Sequence, residues 1–83
     1  MKVRVLFFSV LRDITGTDEV EWELPAASTL ADLLTEIEAR WPRLHDWAGS
    51  MLLAVDQTYV KRADPPPLHH GAEVALMPPV QGG

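Results

Sequence analysis

The sequence predicts an α+β domain: a mixed sheet of four to five strands packed on one main helix. Alternating apolar and polar residues near both ends of the chain, over residues 2–10 and 72–77, indicate β-strands. Between residues 29 and 41, apolar residues instead recur with the spacing of one helix face. Because a single helix covers only one face of a sheet, we expect two layers, with the other sheet face left open.

Length and composition indicate a single domain. The chain has 83 residues, 47% of them hydrophobic, and we assign residues 1–77 to the domain and residues 78–83 to a flexible tail. The absence of cysteine excludes a disulfide framework and a thiolate metal site. A net charge of −5 argues against nucleic acid as a partner. No apolar run approaches the roughly twenty residues that span a bilayer, so we expect a cytoplasmic protein with no membrane partner.

The first two strands should pair as an antiparallel hairpin. Residues 2–10 alternate, and the face expected to join the core carries Val3, Val5 and Phe7. The opposite face begins charged and ends with Leu6 and Phe8. Residues 18–24 alternate between acidic and apolar side chains, which predicts the second strand, and residues 11–17 are predicted to form a turn or loop.

A helix is predicted from about Thr29 to Trp41. Thr29 can act as its N-cap with Asp32 at the N3 position, which is close to a capping box. Pro42 then ends the helix. Its apolar face consists of Leu30, Leu33, Leu34, Ile37 and Trp41. The charged residues assigned to its solvated side are Glu36, Glu38 and Arg40.

Three short strands complete the predicted sheet. Residues 42–50 form a connection, residues 51–55 a strand, and residues 56–57 a tight turn into a return strand over residues 58–61. An irregular proline-rich segment leads to the last strand, residues 72–77. If the connection through the helix is right-handed, the first and last strands lie side by side in the middle of the sheet. This is the β-grasp arrangement of ubiquitin-like proteins.

The open face of this sheet is predicted to bind a partner. Its apolar members are Leu6, Phe8, Tyr59 and Met77. A cluster of exposed apolar residues on adjacent strands commonly marks a protein interface. The cations around it have two interpretations: a basic rim that steers an acidic partner, or ordinary solvated surface charge, which is favoured for Arg4. The members of this rim are Arg4, Arg12, Lys61 and Arg62.

The chain ends in an unusual tail, Pro78-Pro79-Val80-Gln81-Gly82-Gly83. The two prolines lack N–H donors, so the preceding strand should not continue past Met77. Glycine has no Cβ, so the end of the tail is narrow, and it finishes in an α-carboxylate. Such a shape suits insertion into a confined site on another protein.

Motifs for catalysis and for metal binding are missing from the sequence. His69 and His70 are adjacent, so their side chains diverge, and His45 lies in a distant loop; no metal site is expected. The sequence has neither a nucleophile elbow nor a glycine-rich phosphate loop. The carboxylate of Gly83 is the one group whose presentation is unusual.

Three segments together resemble the small subunit of molybdopterin synthase, of the MoaD type. They are Leu6-Phe7-Phe8 followed by Arg12, Leu53-Ala54-Val55-x-Gln57, and Pro78-Pro79-Val80-x-Gly82-Gly83. The resemblance runs over nearly the full length, and its most specific part is the tail. It implies a sulfur carrier of molybdenum cofactor biosynthesis, which has no bound cofactor or metal and is not an enzyme on its own.

The resemblance also implies a chemistry and a set of partners. An ATP-dependent, E1-like adenylating enzyme would activate the carboxyl group of Gly83, and sulfur would then replace AMP to leave a thiocarboxylate. The large synthase subunit would take up the tail, including Pro78, Pro79, Val80 and Gly82, in a heterotetramer. There the sulfur would convert cyclic pyranopterin monophosphate into the dithiolene of molybdopterin. By position, the docking residues would be Phe8, Arg12, Tyr59 and Met77.

The chain departs from this pattern at two positions and in one segment, and it leaves two other functions open. Met77 stands where an aromatic residue is common, Asp56 where asparagine is common, and residues 65–70 are richer in proline and histidine than usual. One alternative is a sulfur carrier for another pathway, thiamin synthesis or tRNA thiolation. The other is a ubiquitin-like binding module whose tail is never activated.

Overall fold

Five strands form one mixed sheet in the computed structural model, which describes residues 1–79. The spatial order is β2-β1-β5-β3-β4, in which β1 and β5 are parallel and all other neighbours antiparallel. The strands are β1 (Lys2–Phe7), β2 (Glu19–Glu23), β3 (Leu52–Val55), β4 (Thr58–Val60) and β5 (Glu73–Met77). The predicted β-grasp arrangement is therefore confirmed. The assignments to Val80, Gly82 and Gly83 lie outside the described residues.

The main helix, α2 (Leu30–Arg40), begins and ends where the sequence predicts. The side chain of Thr29 accepts a hydrogen bond from the backbone N–H of Asp32 at 3.4 Å. Asp32 in turn accepts one from the backbone N–H of Thr29 at 2.8 Å, which completes the capping box. Trp41 is the C-cap residue, and Pro42 follows it.

The core lies between α2 and the inner face of the sheet. The predicted apolar stripe of α2 is buried, with Leu30, Leu33 and Ile37 at 0% exposure. Opposite it, the alternating residues of the central strands are buried as expected. The buried residues of this inner face are Val3, Val5, Phe7, Leu53, Val74 and Leu76; Ala54, on the opposite face, is also only 7% exposed. The outer face of the sheet has no helix over it within residues 1–79.

Two segments predicted to be irregular are helical. Residues 11–15, predicted as part of a turn or loop, and Val10, predicted as the end of the first strand, instead form a six-residue helix, α1 (Val10–Thr15), which ends at Gly16 with φ 77°. Its buried Leu11 anchors it to the core, but one and a half turns are too short to display a helical period in the sequence. The connection after α2 contains a 3₁₀ helix, Pro42–Trp47, which buries Leu44.

The assignment of Glu38 to the solvated side of α2 was wrong. Glu38 is 4% exposed, and one terminal nitrogen of Arg62 contacts both of its carboxylate oxygens at 2.7 Å. Arg62 follows β4 and folds over the edge of α2, covering a position that the helical wheel leaves in solvent. A carboxylate taken out of water needs such a partner, so this ion pair holds the segment after β4 against the helix.

A cluster of hydrogen-bonded polar groups lies at the end of the sheet where β5 begins. Asp56 and Gln57, with φ of 50° and 68°, make the left-handed turn between β3 and β4 that the sequence predicts. Asp56 accepts a hydrogen bond from the backbone N–H of Glu73 at 3.0 Å and contacts Nε2 of His69 at 2.6 Å. The backbone bond, then His69, lowers the pKa of Asp56, and the hydrogen bond to Asp56 is the main cause that raises the pKa of His69.

Truncation of the α2 stripe should strongly destabilise the protein. Leu34→Ala removes a side chain that is 1% exposed and leaves a cavity, so we expect the free energy of unfolding to fall by about 2–5 kcal/mol. Thr35→Ala, one position along on the exposed side, is the matched control and should change it by less than about 0.5 kcal/mol. Chemical denaturation measures both. Equal effects would contradict the packing described here.

The Asp56–His69 pair predicts a pH dependence of stability. The pKa of His69 is raised above its ordinary 6.5. The contribution of the pair to folding stability is therefore fully present below pH 6.5, and it is lost as the pH rises through the pKa of His69 in the folded protein. Because the pKa of Asp56 is lowered from 3.8, its contribution is present above pH 3.8 and is lost as pH falls through the folded-state value.

Thermal unfolding of the wild type and His69→Asn between pH 5 and pH 9 tests this. The difference in melting temperature between them should be largest near pH 5–6 and should shrink at higher pH. A difference independent of pH would show that His69 does not titrate against Asp56.

Candidate functional site: the open sheet face and the root of the tail

The parallel pairing of β1 and β5 brings the candidate docking residues to one end of the sheet. Both strands run in the same direction, and Phe7 pairs with Leu76, so Phe8 follows β1 at the point where Met77 ends β5. The backbone N–H of Phe8 donates to the carbonyl of Leu76 at 3.2 Å. Pro78 comes directly after, so the root of the tail leaves the sheet next to Phe8.

The open face of the sheet is shallow in its middle. We define this face by Leu6, Phe8, Leu52, Ala54, Tyr59, Ala75 and Met77. Leu6, Ala75, Ala54 and Tyr59 form a row in register across four strands. Three strand spacings separate the ends of this row by about 14 Å. Tyr59 is 72% exposed and Phe8 is 45% exposed, whereas the alanines between them are small. A partner would therefore meet two separate aromatic contacts.

Arg12 lies beside Phe8 because α1 follows β1 after a tight turn. Its guanidinium is 3.5 Å from the carboxylate of Asp18, and both side chains are more than half exposed, so the pairing is weak. Next to it is a surface depression of about 330 Å³. The depression is lined by Leu6, Phe7, Phe8, Ser9, Arg12, Asp18 and Glu19. It combines an apolar wall with charges of both signs.

The predicted basic rim is only partly available to a partner. Arg4 contacts Glu19 at 3.0 Å, and this side-chain hydrogen bond raises the pKa of Arg4 and lowers the pKa of Glu19. Arg62 is held by Glu38. Arg4 and Arg62 are therefore paired within the chain, and Arg12 is paired more weakly with Asp18, so charge steering by this rim should be weak.

The open face and the tail root together are the candidate binding surface. Residues 1–79 contain no group of three or more His, Asp or Glu side chains placed to hold a metal ion. In the same range, no helix has both the length and the apolar character needed to cross a membrane. The His69–Asp56 pair lies at the opposite end of β5 from Met77 and does not contribute to this surface.

The structure brings together most of the site residues predicted from the sequence. Phe8, Arg12 and Met77 lie at one end of the sheet with Pro78 and Pro79, whereas Tyr59 lies on the edge strand β4. Met77 is half-buried, opposite Leu52 on β3. Sequence reasoning missed Leu52 and Ala54 on the open face, although their alternation with Leu53 indicates that face.

The comparisons with known proteins agree with this architecture. Residues 5–83 match the ThiS family. The molybdopterin synthase sulfur carrier subunit of Escherichia coli K12 is 40% identical over 84 residues, covering 98% of this chain and 99% of that protein. The subunit of the same name from Chlamydomonas reinhardtii is 36% identical over 83 residues, and the alignment covers 100% of both chains.

One solved structure extends the comparison to an assembly. It is the protein–protein complex of subunits 1 and 2 of molybdopterin-converting factor from Helicobacter pylori 26695. The similar chain is 25% identical to this one, with a TM-score of 0.69 and full coverage of both chains. Because the family match extends from residue 5 to residue 83, this chain belongs to the ThiS family.

Proposed function

We propose that this chain is the sulfur carrier subunit of a molybdopterin synthase, with Gly83 as its reactive carboxyl terminus. The observation that carries the proposal is the position of the tail root, which leaves the central strand β5 beside the exposed Phe8. A partner that docks on the open face is thereby positioned to receive the tail. The names of the relatives support the same role.

The proposed chemistry requires activation of Gly83 from outside the chain. A carboxylate resists substitution because its oxygen is a poor leaving group, and acyl-adenylate formation supplies a better one. An E1-like adenylating enzyme would join the Gly83 carboxylate to the α-phosphate of ATP, with loss of pyrophosphate. A sulfur donor would then displace AMP and leave the thiocarboxylate. The chain binds no cofactor in this scheme, because its covalent states carry the sulfur.

The large subunit of the synthase is the proposed acceptor and the site of catalysis. Phe8 and Met77 would form the centre of the interface, Arg12 its edge, and Tyr59 a second contact across the sheet. Support comes from the Helicobacter pylori complex, in which a similar chain is assembled with a second subunit. The narrow glycine end would pass into the large subunit, where cyclic pyranopterin monophosphate receives the sulfur.

Substitution of Phe8 should separate docking from folding. Phe8→Asp places a charge on an exposed side chain at the proposed centre of the interface, so affinity for the large subunit should fall by at least about thirtyfold, a loss of about 2 kcal/mol. Calorimetric titration measures the affinity. Ala31→Asp, exposed on the helix layer, adds the same charge away from the open face and should bind as the wild type does. Wild-type affinity for Phe8→Asp would exclude the open face as the docking site.

Changes in tail length should abolish sulfur transfer and leave binding intact. Deletion of Gly83 displaces the terminal carboxyl group by about 3.5 Å, and one added residue displaces it in the other direction; positioned chemistry tolerates neither. Intact mass after incubation with the activating enzyme, ATP and a sulfur donor detects the thiocarboxylate. Molybdopterin formation with the purified large subunit measures transfer.

The same assays separate the alternative functions. A binding module whose tail is not activated would keep its original mass. A carrier of another pathway would gain sulfur and still fail to support molybdopterin formation. Full synthesis by the chain that lacks Gly83 would show that the sulfur travels on another group.

A further inference from the structure

Ser9 has a backbone conformation that glycine would adopt more easily. Its φ of 55° and ψ of −129° are those of the first central residue of a type II′ turn. The carbonyl of Phe8 accepts a hydrogen bond from the N–H of Leu11 at 3.1 Å, which closes that turn. Glycine is the preferred residue at this position because any Cβ is strained there.

The strain at Ser9 is not offset by a hydrogen bond of its side chain within residues 1–79. Its hydroxyl caps none of the N–H groups of α1, and we find no hydrogen bond from it to any of residues 1–79. Asp56 is a useful comparison because it also has a positive φ, but its carboxylate bonds the N–H of Glu73. Ser9 is exposed to solvent instead.

Ser9 lies where the proposed partner would dock. It follows Phe8 directly and lines the same surface depression as Arg12. Residues held in strained backbone conformations are concentrated at functional sites. Serine keeps a hydroxyl group at this point of the surface, which glycine would lack.

We propose that the Ser9 hydroxyl forms a hydrogen bond with a polar group of the docked large subunit and so contributes to recognition. This inference rests on the proposed function, because it takes the large subunit as the occupant of the open face. It adds a polar contact beside the apolar one made by Phe8. The fold therefore accepts a strained turn to present this hydroxyl.

Three variants separate the hydroxyl from the backbone strain. Ser9→Gly relieves the strain and removes the hydroxyl, whereas Ser9→Ala keeps the Cβ and removes the hydroxyl alone. Ala27→Gly is the matched control: Ala27 also has a positive φ, of 70°, and it is exposed in the connection between β2 and α2. Melting temperature and affinity for the cognate large subunit are measured for each variant.

The expected pattern is specific to a contact at the interface. Ser9→Gly and Ala27→Gly should both raise the melting temperature. Ser9→Gly and Ser9→Ala should each weaken binding by about two- to tenfold, the effect of one hydrogen bond, while Ala27→Gly binds as the wild type does.

Wild-type affinity of Ser9→Ala would overturn the proposal, and so would a Ser9→Gly variant no more stable than the wild type. An equal loss of affinity in Ala27→Gly would also overturn it, because relief of strain anywhere would then suffice. If the wild-type chain did not bind the large subunit, the proposed function would fail together with this inference. Normal wild-type binding with no effect at Ser9 would remove this inference alone.

Discussion

The parallel pairing of β1 and β5 is the constraint on which the rest of the structure depends. Two parallel neighbours cannot be joined by a tight turn, so the chain between them must cross over the sheet. Helix α2 lies in that crossover and covers one face, which leaves the other open. The same pairing places the C-terminal ends of both strands at the same end of the sheet, so Phe8 and the root of the tail become neighbours although they are far apart in sequence.

The two ends of β5 have different chemical characters. At its start, Asp56, His69 and the N–H of Glu73 form a polar network, and the N–H of Lys2 donates to His70 at 3.1 Å. At its end, β5 is still paired with β3, the backbone N–H of Phe8 donates to the carbonyl of Leu76, and the side chains on the open face are apolar. These polar contacts join three segments at the start of β5: the turn between β3 and β4, residues 69–73, and the start of β1. The end of β5 instead carries an apolar surface and the root of the tail.

The parts of the fold that sequence reasoning could predict are those encoded by local patterns. The helix α2 carries both a capping box and a long apolar stripe, so its limits could be predicted to within a residue. Glu38 could not be assigned correctly, because its partner Arg62 lies 24 residues further along the chain. Helix α1 is too short to show a period, and its buried Leu11 has no local sign of burial.

The candidate site likewise has features that local sequence patterns predict and features that depend on distant parts of the chain. Alternation along β1 and β5 indicates which face carries Phe8 and Met77, and the prolines indicate where β5 stops. That these residues are adjacent depends on the handedness of the crossover, a general rule that the sequence itself does not state. The strained turn at Ser9 could not be found from sequence, because glycine is the residue that signals a positive φ and a serine gives no such sign; only the dihedral angles reveal the strain.

The central position of β5 in the sheet also affects how the protein folds during its translation. It is the last strand of the domain in sequence, yet it lies between β1 and β3. During synthesis, the hairpins β1–β2 and β3–β4 can form early, but without β5 they have no strand to join them. The pairing of β1 with β5 joins residues from opposite ends of the domain, so it forms late. A nascent chain therefore acquires the candidate binding surface only after β5 has been translated, and a chain that stops before β5 lacks it.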